Sequence, residues 1–335
     1  MLRIGLLGDV MLGRKVGEAL LRGNDPAELW HPELRALTSS LDLVICNLEC
    51  CLSARGAPTT RIEGKPFFFR GPPQAVAALE AVNAGVVGLA NNHLLDYGEQ
   101  AGADTVELLA AHGISTAGAG LDVAAARAPA LIERAGVRIG VLALSDHPVE
   151  YAAAANHPGI AYAPLRTGAP AWLLDAVAAL RERCDLTVVF LHWGPNMATR
   201  PSAWQRALGS ALIAAGADLV AGHSAHVFHG IAWEQDRPVL YDLGDALDDY
   251  RTDPLLRNDL GVLAIHTRGD HGQTLELVGL ALDYCATRLA VGGEADWIAA
   301  RLQSACGDLG SEVERTEANR FTIRPARSSH RHPDG

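Results

Sequence analysis

The chain has 335 residues and a formal net charge of −11, with 49% hydrophobic and 20% charged residues. This is the balance of a soluble globular protein long enough for one large α/β domain or two small ones. The acidic excess excludes a nonspecific nucleic-acid or anionic-membrane surface, which needs clustered positive charge.

The basic residues are almost all arginine; only Lys15 and Lys65 are lysines. The six cysteines, Cys46, Cys50, Cys51, Cys184, Cys285 and Cys306, show neither CxxC nor zinc-finger spacing. Cys46 and Cys184 read as small core residues, and nothing demands an oxidising compartment. "MLRIGLLGDV" runs straight into a strand, which is not the form of a signal peptide. No apolar stretch is long and uncharged enough to span a bilayer. The expectation is a cytoplasmic protein with no membrane or nucleic-acid partner.

In chain order, short runs rich in Val, Ile and Leu alternate with amphipathic stretches. The runs are "RIGLLGDV" (3–10), "LDLVICNLE" (41–49), "AGVVGLANNH" (84–93), "VRIGVLALSDH" (137–147), "DLTVVFLHWG" (185–194) and "DLVAGHSAH" (218–226). Helices are predicted near 72–83, 98–112, 170–183 and 203–215. Such alternation predicts a layered α/β fold. After residue 226 two hairpins follow, with polar turns at Gln235–Arg237 and Gly269–Gly272, so a second, partly antiparallel sheet is expected. A last helix is predicted over 294–306. With no internal repeat and no long linker, residues 1–325 read as one domain. The tail "ARSSHRHPDG" (326–335) is polar and aperiodic, so it reads as disorder despite His330 and His332.

The strand ends carry the chemistry. The first run ends at Asp9, the second at Asn47 and Glu49, the third at Asn92 and His93. Later runs end at His192 and at His223 and His226. In open α/β sheets ligands bind beyond the carboxyl ends of the strands. Taken singly, each residue has an ordinary alternative. Asp9 could cap a helix starting near Met11, Glu49 could sit in solvent, and His192 could be a hydrogen-bonded core residue. Taken together, carboxylate, amide and imidazole groups at one sheet edge form an O/N donor set without sulfur, which suits Mn, Fe or Zn. Two neighbouring divalent ions sharing a carboxylate would use them all.

The segments "GDVMLGR" (8–14), "NLECCLS" (47–53), "ANNHLLDYG" (90–98), "LHWG" (191–194), "GHSAH" (222–226) and "YDLGDAL" (241–247) follow the order of the CapA family. The chain resembles these poly-γ-glutamate capsule-biosynthesis proteins of the calcineurin-like metallophosphoesterase superfamily over about residues 1–250. The resemblance implies a four-layer α/β/β/α sandwich with a two-metal site. It places Asp9 and His226 on the first ion, and Asn92, His192 and His223 on the second. Glu49 falls where the bridging carboxylate stands. His93 matches the catalytic histidine that follows the ligand asparagine, and Asp96 is positioned to orient it. Arg14 and Arg70 lie in family-like segments and are candidates for binding an anionic, small or peptide-like substrate; either would serve equally as a structural ion pair. His147 and His229 are candidate proton donors of lower rank, read first as surface loop residues.

The departures are specific. Met11 stands where the superfamily carries a histidine. "GHHPH" reads "GHSAH", with Ser224 and Ala225. Asn196 replaces a glutamate usual after "HWG", and "SLGNF" reads "DLGDA" over Asp242–Ala246. The family's common N-terminal anchor has no counterpart here. The metal-ligand set, with the resemblance to a phosphoesterase superfamily, implies a metal-dependent hydrolase of a phosphoester. Metal-dependent amide or γ-glutamyl chemistry, and a non-catalytic accessory role in a biosynthetic assembly, are the alternatives.

Overall fold

The structure, a computed structural model, describes residues 1–269 and 272–326. The expected disordered tail with His330 and His332 therefore lies, from residue 327 on, outside the described residues, as do the central residues of the Gly269–Gly272 turn.

The first sheet is built on four parallel strands, β1 (Leu2–Val10), β2 (Leu43–Leu48), β3 (Ala84–Gly88) and β4 (Ser115–Ala117). The second is built on β5 (Ala130–Arg134), β6 (Val137–Ser145), β7 (Leu186–His192) and β8 (Leu219–His223), followed by the hairpin β9 (Ile231–Glu234) and β10 (Arg237–Leu240). Its strand order is β9–β10–β8–β7–β6–β5. The chain then returns to the first sheet. Strand β11 (Asp245–Leu247) lies against the end of β1, and β12 (Leu260–Gly269) runs antiparallel to its start. Strands β13 (Gly272–Leu282), β14 (Thr287–Leu289), β15 (Ser311–Glu317) and β16 (Arg320–Pro325) complete the sheet in the order β15–β16–β13–β12–β1–β2–β3–β4, with β14 paired to β13.

Side-chain alternation with a period of two sorts these strands into layers. Leu6, Ile45, Val86, Val188 and Phe190 point between the sheets into one buried cluster. Leu7, Val44, Leu48 and Val87 point outward against helices α1 (Arg14–Leu21), α2 (Pro32–Ser39), α3 (Val76–Ala81) and α4 (Gly98–Ala111). On the other side Leu142, Val189 and Leu191 pack against α5 (Val123–Arg127), α6 (Ala171–Arg183) and α7 (Ala203–Ala215). The result is the four-layer α/β/β/α sandwich. A final helix, α8 (Gly293–Gly307), buries Ile298 and Leu302 in the inter-sheet cluster and so closes one end of it. Among the described residues no helix is long and apolar enough to cross a membrane.

A second, partly antiparallel sheet is present as expected, but only one of the two late hairpins belongs to it. One extends that sheet through β10 beside β8, and the other covers the open edge of β1 in the first sheet. Alternation marks a strand but does not say which free edge it will join. Strand β1, buried at every position but Arg3, needs a partner on that edge, and β12 supplies it.

Close packing fixes the segment that follows β10. A Cβ added at Gly8 would lie 1.8 Å from the carbonyl oxygen of Gly244. Gly8→Ala must therefore push the end of β1 away from the loop leading to β11. The expected cost is about 3 kcal/mol or more, at the upper end of overpacking effects, read by urea denaturation. A variant as stable as the parent would show that this contact does not fix the strand end.

Candidate metal centre

The site sits where strands of both sheets end. Register alone places its groups side by side. Asp9 is paired across β1 with Asn47 on one side and Asp245 on the other. His192 and His223 are paired neighbours on β7 and β8. Asp9 does not cap a helix, because α1 starts later with Gly13 as its N-cap. Instead its Oδ1 lies 2.8 Å from His223 Nδ1 and accepts from Asn47 Nδ2 at 2.7 Å, while Oδ2 accepts the Ser224 N–H at 3.0 Å. Ser224 and His226 have φ of +108° and +60°. Non-glycine residues rarely adopt these angles, so the loop is held bent to aim both groups at Asp9.

Two groups of metal-ligand side chains result, each with ligand atoms within 4.8 Å of one another. One contains Asp9, His192 and His223; the other contains Asp9, Glu49, His226 and Asp245. The carboxylate common to both is Asp9, whereas the resemblance gives the bridging place to Glu49. Glu49 is buried, not solvated, and accepts from the Tyr250 hydroxyl at 2.9 Å.

These donors fit divalent ions on three observations. His192 Nδ1 and His223 Nδ1 are 3.0 Å apart, a contact that needs a shared proton or a cation. Asn92 Oδ1 and Asp245 Oδ2 are buried without a hydrogen-bond partner. Finally, carboxylates crowd at distances where each like-charged pair costs roughly 3–4 kcal/mol even at an effective dielectric of 20. Burial, and then the Asp9 charge, push Glu49 and Asp245 well above the usual carboxylate range. Asp242 is pushed up to about 7 by burial and by Asp9. Burial raises Asp9 too, but the charge and hydrogen bond of His223, with His226 and Asn47, hold it below its ordinary value. Cations would relieve this repulsion.

The two adjacent asparagines divide their work. Asn91 donates to Asn47 Oδ1 and to the Leu48 carbonyl, and its Oδ1 accepts the N–H groups of His93 and Leu94. It shapes the turn and leaves Asn92 with the unpartnered oxygen. His93 Nδ1 lies 2.6 Å from Asp96 Oδ2, and the Phe69 ring stacks on the imidazole at 3.8 Å. Asp96 in turn accepts from the Phe69 N–H (2.7 Å) and the Tyr151 hydroxyl (2.9 Å), and pairs with Lys65 Nζ (3.2 Å). This fixed carboxylate favours the Nδ1–H tautomer and leaves Nε2 of His93 without a proton. Burial lowers His93 to about 4, against the hydrogen bond and charge of Asp96.

Arg14 and Arg70 part company. Arg14 is ion-paired to Asp249 at 3.3 Å and lies over the rings of Phe67, Phe69 and Tyr250, one residue removed from Glu49. Arg70 instead donates to the carbonyls of Arg55 and Gly56 and stacks on Tyr97. His147 is half-buried, bonded to Asp146, with its ring 5.0 Å from His192. His229 is buried and donates to the Ala198 carbonyl, so it is not a surface residue. A groove of about 820 Å³ lined by Arg181, Asp218, Arg237 and Arg268 lies at the amino ends of the parallel strands, away from this chemistry.

Sequence reasoning missed Asp245, Lys65, Phe69 and Tyr250. Asp245 stood inside a recognised segment but was read as a departure. Lys65 carried one signal, being one of two lysines in the chain.

The description "Bacterial capsule synthesis protein PGA_cap" matches residues 3–250. The chain belongs to this family. It is 33% identical, over 89% of its length and 81% of the relative's, to a "Probable polyglutamine synthesis accessory protein" of Mycobacterium tuberculosis (strain ATCC 25618 / H37Rv). It is 27% identical to the "Capsule biosynthesis protein CapA" of Bacillus anthracis over 83% of this chain and 67% of that one. Among solved structures, a hypothetical protein from Thermus thermophilus superimposes with a TM-score of 0.44 at 15% identity, covering 86% of this chain and 96% of that one.

The environment of His93 in this PGA_cap member gives a pH test. Its ordinary value is 6.5 and its folded value about 4, so its contribution to stability is present above 6.5 and is lost as pH falls towards 4. In the metal-free protein the His93 NMR resonances should titrate near 4. Asp96→Asn removes the opposing upward pull and should lower that midpoint further. A midpoint that rises in the variant would refute the assigned pairing.

Proposed function

We propose that the chain is a metal-dependent hydrolase of an anionic substrate, with a phosphoester as the bond cleaved. The observation that supports this most is the pair of ligand groups sharing Asp9 at the carboxyl ends of two facing sheets. Asp9, Glu49, Asp245 and His226 would hold one divalent ion; Asp9, His192 and His223, with Asn92, would hold the other. Such ions supply Lewis acidity and lower the pKa of water at neutral pH. The protein's own groups do the rest. Arg14, cationic and over a third exposed (37%) at its aromatic platform, binds the substrate's negative charge. The negative charge of a bound substrate would favour protonation of His93 at Nε2, the proton being taken from solvent and passed on to the leaving group, with Asp96 fixing the ring through Nδ1. Phe69 covers one face of His93 and excludes water from it.

A second reading has its own support. The relatives' names concern capsule biosynthesis and polyglutamine synthesis, which favours amide or γ-glutamyl chemistry on a peptide-like substrate. One of those names says "accessory", which favours a non-catalytic role.

Protein purified without chelator should contain up to two transition-metal ions per chain by elemental analysis, and His192→Ala or His223→Ala should reduce that number. His93→Ala should keep the metal and lose turnover by ~10²–10⁴-fold, the size of a general acid–base contribution. Aryl phosphate mono- and diesters should be cleaved in a metal-dependent way that Asp9→Asn abolishes. Metal-replete protein that ignores phosphoesters but cleaves a γ-glutamyl amide would transfer the proposal to the second reading. Inertness to both would leave the accessory role.

A further inference from the structure

We infer that Asp245 is a direct metal ligand that supplies what position 11 does not, and that it makes the two ion places chemically unequal. The inference rests on the metal-dependent reading of the site.

Met11 cannot contribute. Its side chain is buried in the outer apolar cluster, and its sulfur accepts the Gly13 N–H at 3.1 Å. Asp245 reaches the same centre from the other side. Strand β11 pairs with the end of β1 in a register that sets Asp245 beside Asp9. The Asp245 side chain is 1% exposed, its Oδ1 lies 2.9 Å from His226 Nδ1, and its Oδ2 has no N–H or hydroxyl donor, the Asp248 carboxyl being the group's other side-chain partner and a donor only while it keeps its proton. A carboxylate oxygen this deeply buried is costly without a donor or a cation. Gly244, at φ +71°, and the Gly8 contact hold the segment in place.

With Asp245 included, one place offers three carboxylates and one imidazole, and the other offers two imidazoles, the Asn92 amide oxygen and the shared Asp9. Hard oxygen donors suit Mn²⁺, while imidazole donors suit Zn²⁺. The first place therefore selects an oxygen-preferring ion and the second a nitrogen-preferring one.

The test uses the full metal-free chain, titrated separately with Mn²⁺ and with Zn²⁺. Asp245→Asn keeps the size of the side chain and an oxygen facing His226, but removes the charge. The variant should lose Mn²⁺ affinity at one place by more than ~100-fold, beyond the ~10–100-fold that loss of an outer-shell partner costs. It should still bind one Zn²⁺. At saturating Mn²⁺ the water-proton relaxivity per bound ion should rise, because water takes the vacated position. A smaller loss with unchanged relaxivity would mean that Asp245 only orients His226, and would overturn the inference. Equal loss of both ions would overturn the asymmetry. Circular dichroism and thermal melting of the metal-free variant report whether it folds; if it does not, Asp245→Ser is read by the same measurements. A chain that binds ions in this pattern yet cleaves nothing keeps this inference and overturns the hydrolase reading.

Discussion

One carboxylate joins the two halves of this molecule. Asp9 ends a strand of the first sheet, and His223 ends a strand of the second, yet their side chains meet at 2.8 Å. Everything else in the site is arranged around that contact. Asn47 steadies Asp9 from the neighbouring strand, the Ser224 N–H steadies it from the facing sheet, and both ligand groups count it as a member. The apolar core between the sheets sets the spacing that makes the contact possible. Phe190 is part of that core, and its ring also lies 4.6 Å from the His223 imidazole. Packing and chemistry are continuous at this point.

The surrounding charges would not be stable as an ordinary protein interior. Asp9, Glu49, Asp242, Asp245 and Asp248 are all buried, and the raised values of the last four express their mutual repulsion and desolvation. Buried like charges persist when something opposite in sign compensates them. His223 and His226 do this in part, and divalent ions would do it more fully. The arrangement therefore reads as a fold that tolerates local instability at one edge because a ligand relieves it.

Much of the architecture was legible in the sequence because strand alternation is a local signal. The six runs read from the sequence correspond to β1, β2, β3, β6, β7 and β8, and the last helix, read over 294–306, spans Gly293–Gly307. What was not legible was non-local. Strand β15 lies at a sheet edge with exposed polar side chains, so its alternation is faint. The placement of the two hairpins depended on which sheet edge was free. In the site, residues that end strands announced themselves by type and place. Asp245 did not, because its role comes from a parallel pairing with β1, far earlier in the chain. Lys65 and Phe69 come from a loop whose course no periodicity describes.

That loop has a consequence. Residues 53–69 contain no helix or strand, yet Lys65 reaches from them to hold both the Asn92 carbonyl oxygen, at 2.7 Å, and the Asp96 carboxylate. A single ammonium group thus clamps the turn carrying the unpartnered amide oxygen and the carboxylate that orients the imidazole. The loop is itself moored in its first half, by Arg55 to Asp104 and by Arg61 to Glu99 on helix α4. Slack in those moorings would loosen amide and imidazole together. Two proteins with identical cluster residues would therefore differ in how firmly those residues are placed, through surface ion pairs remote from the cluster.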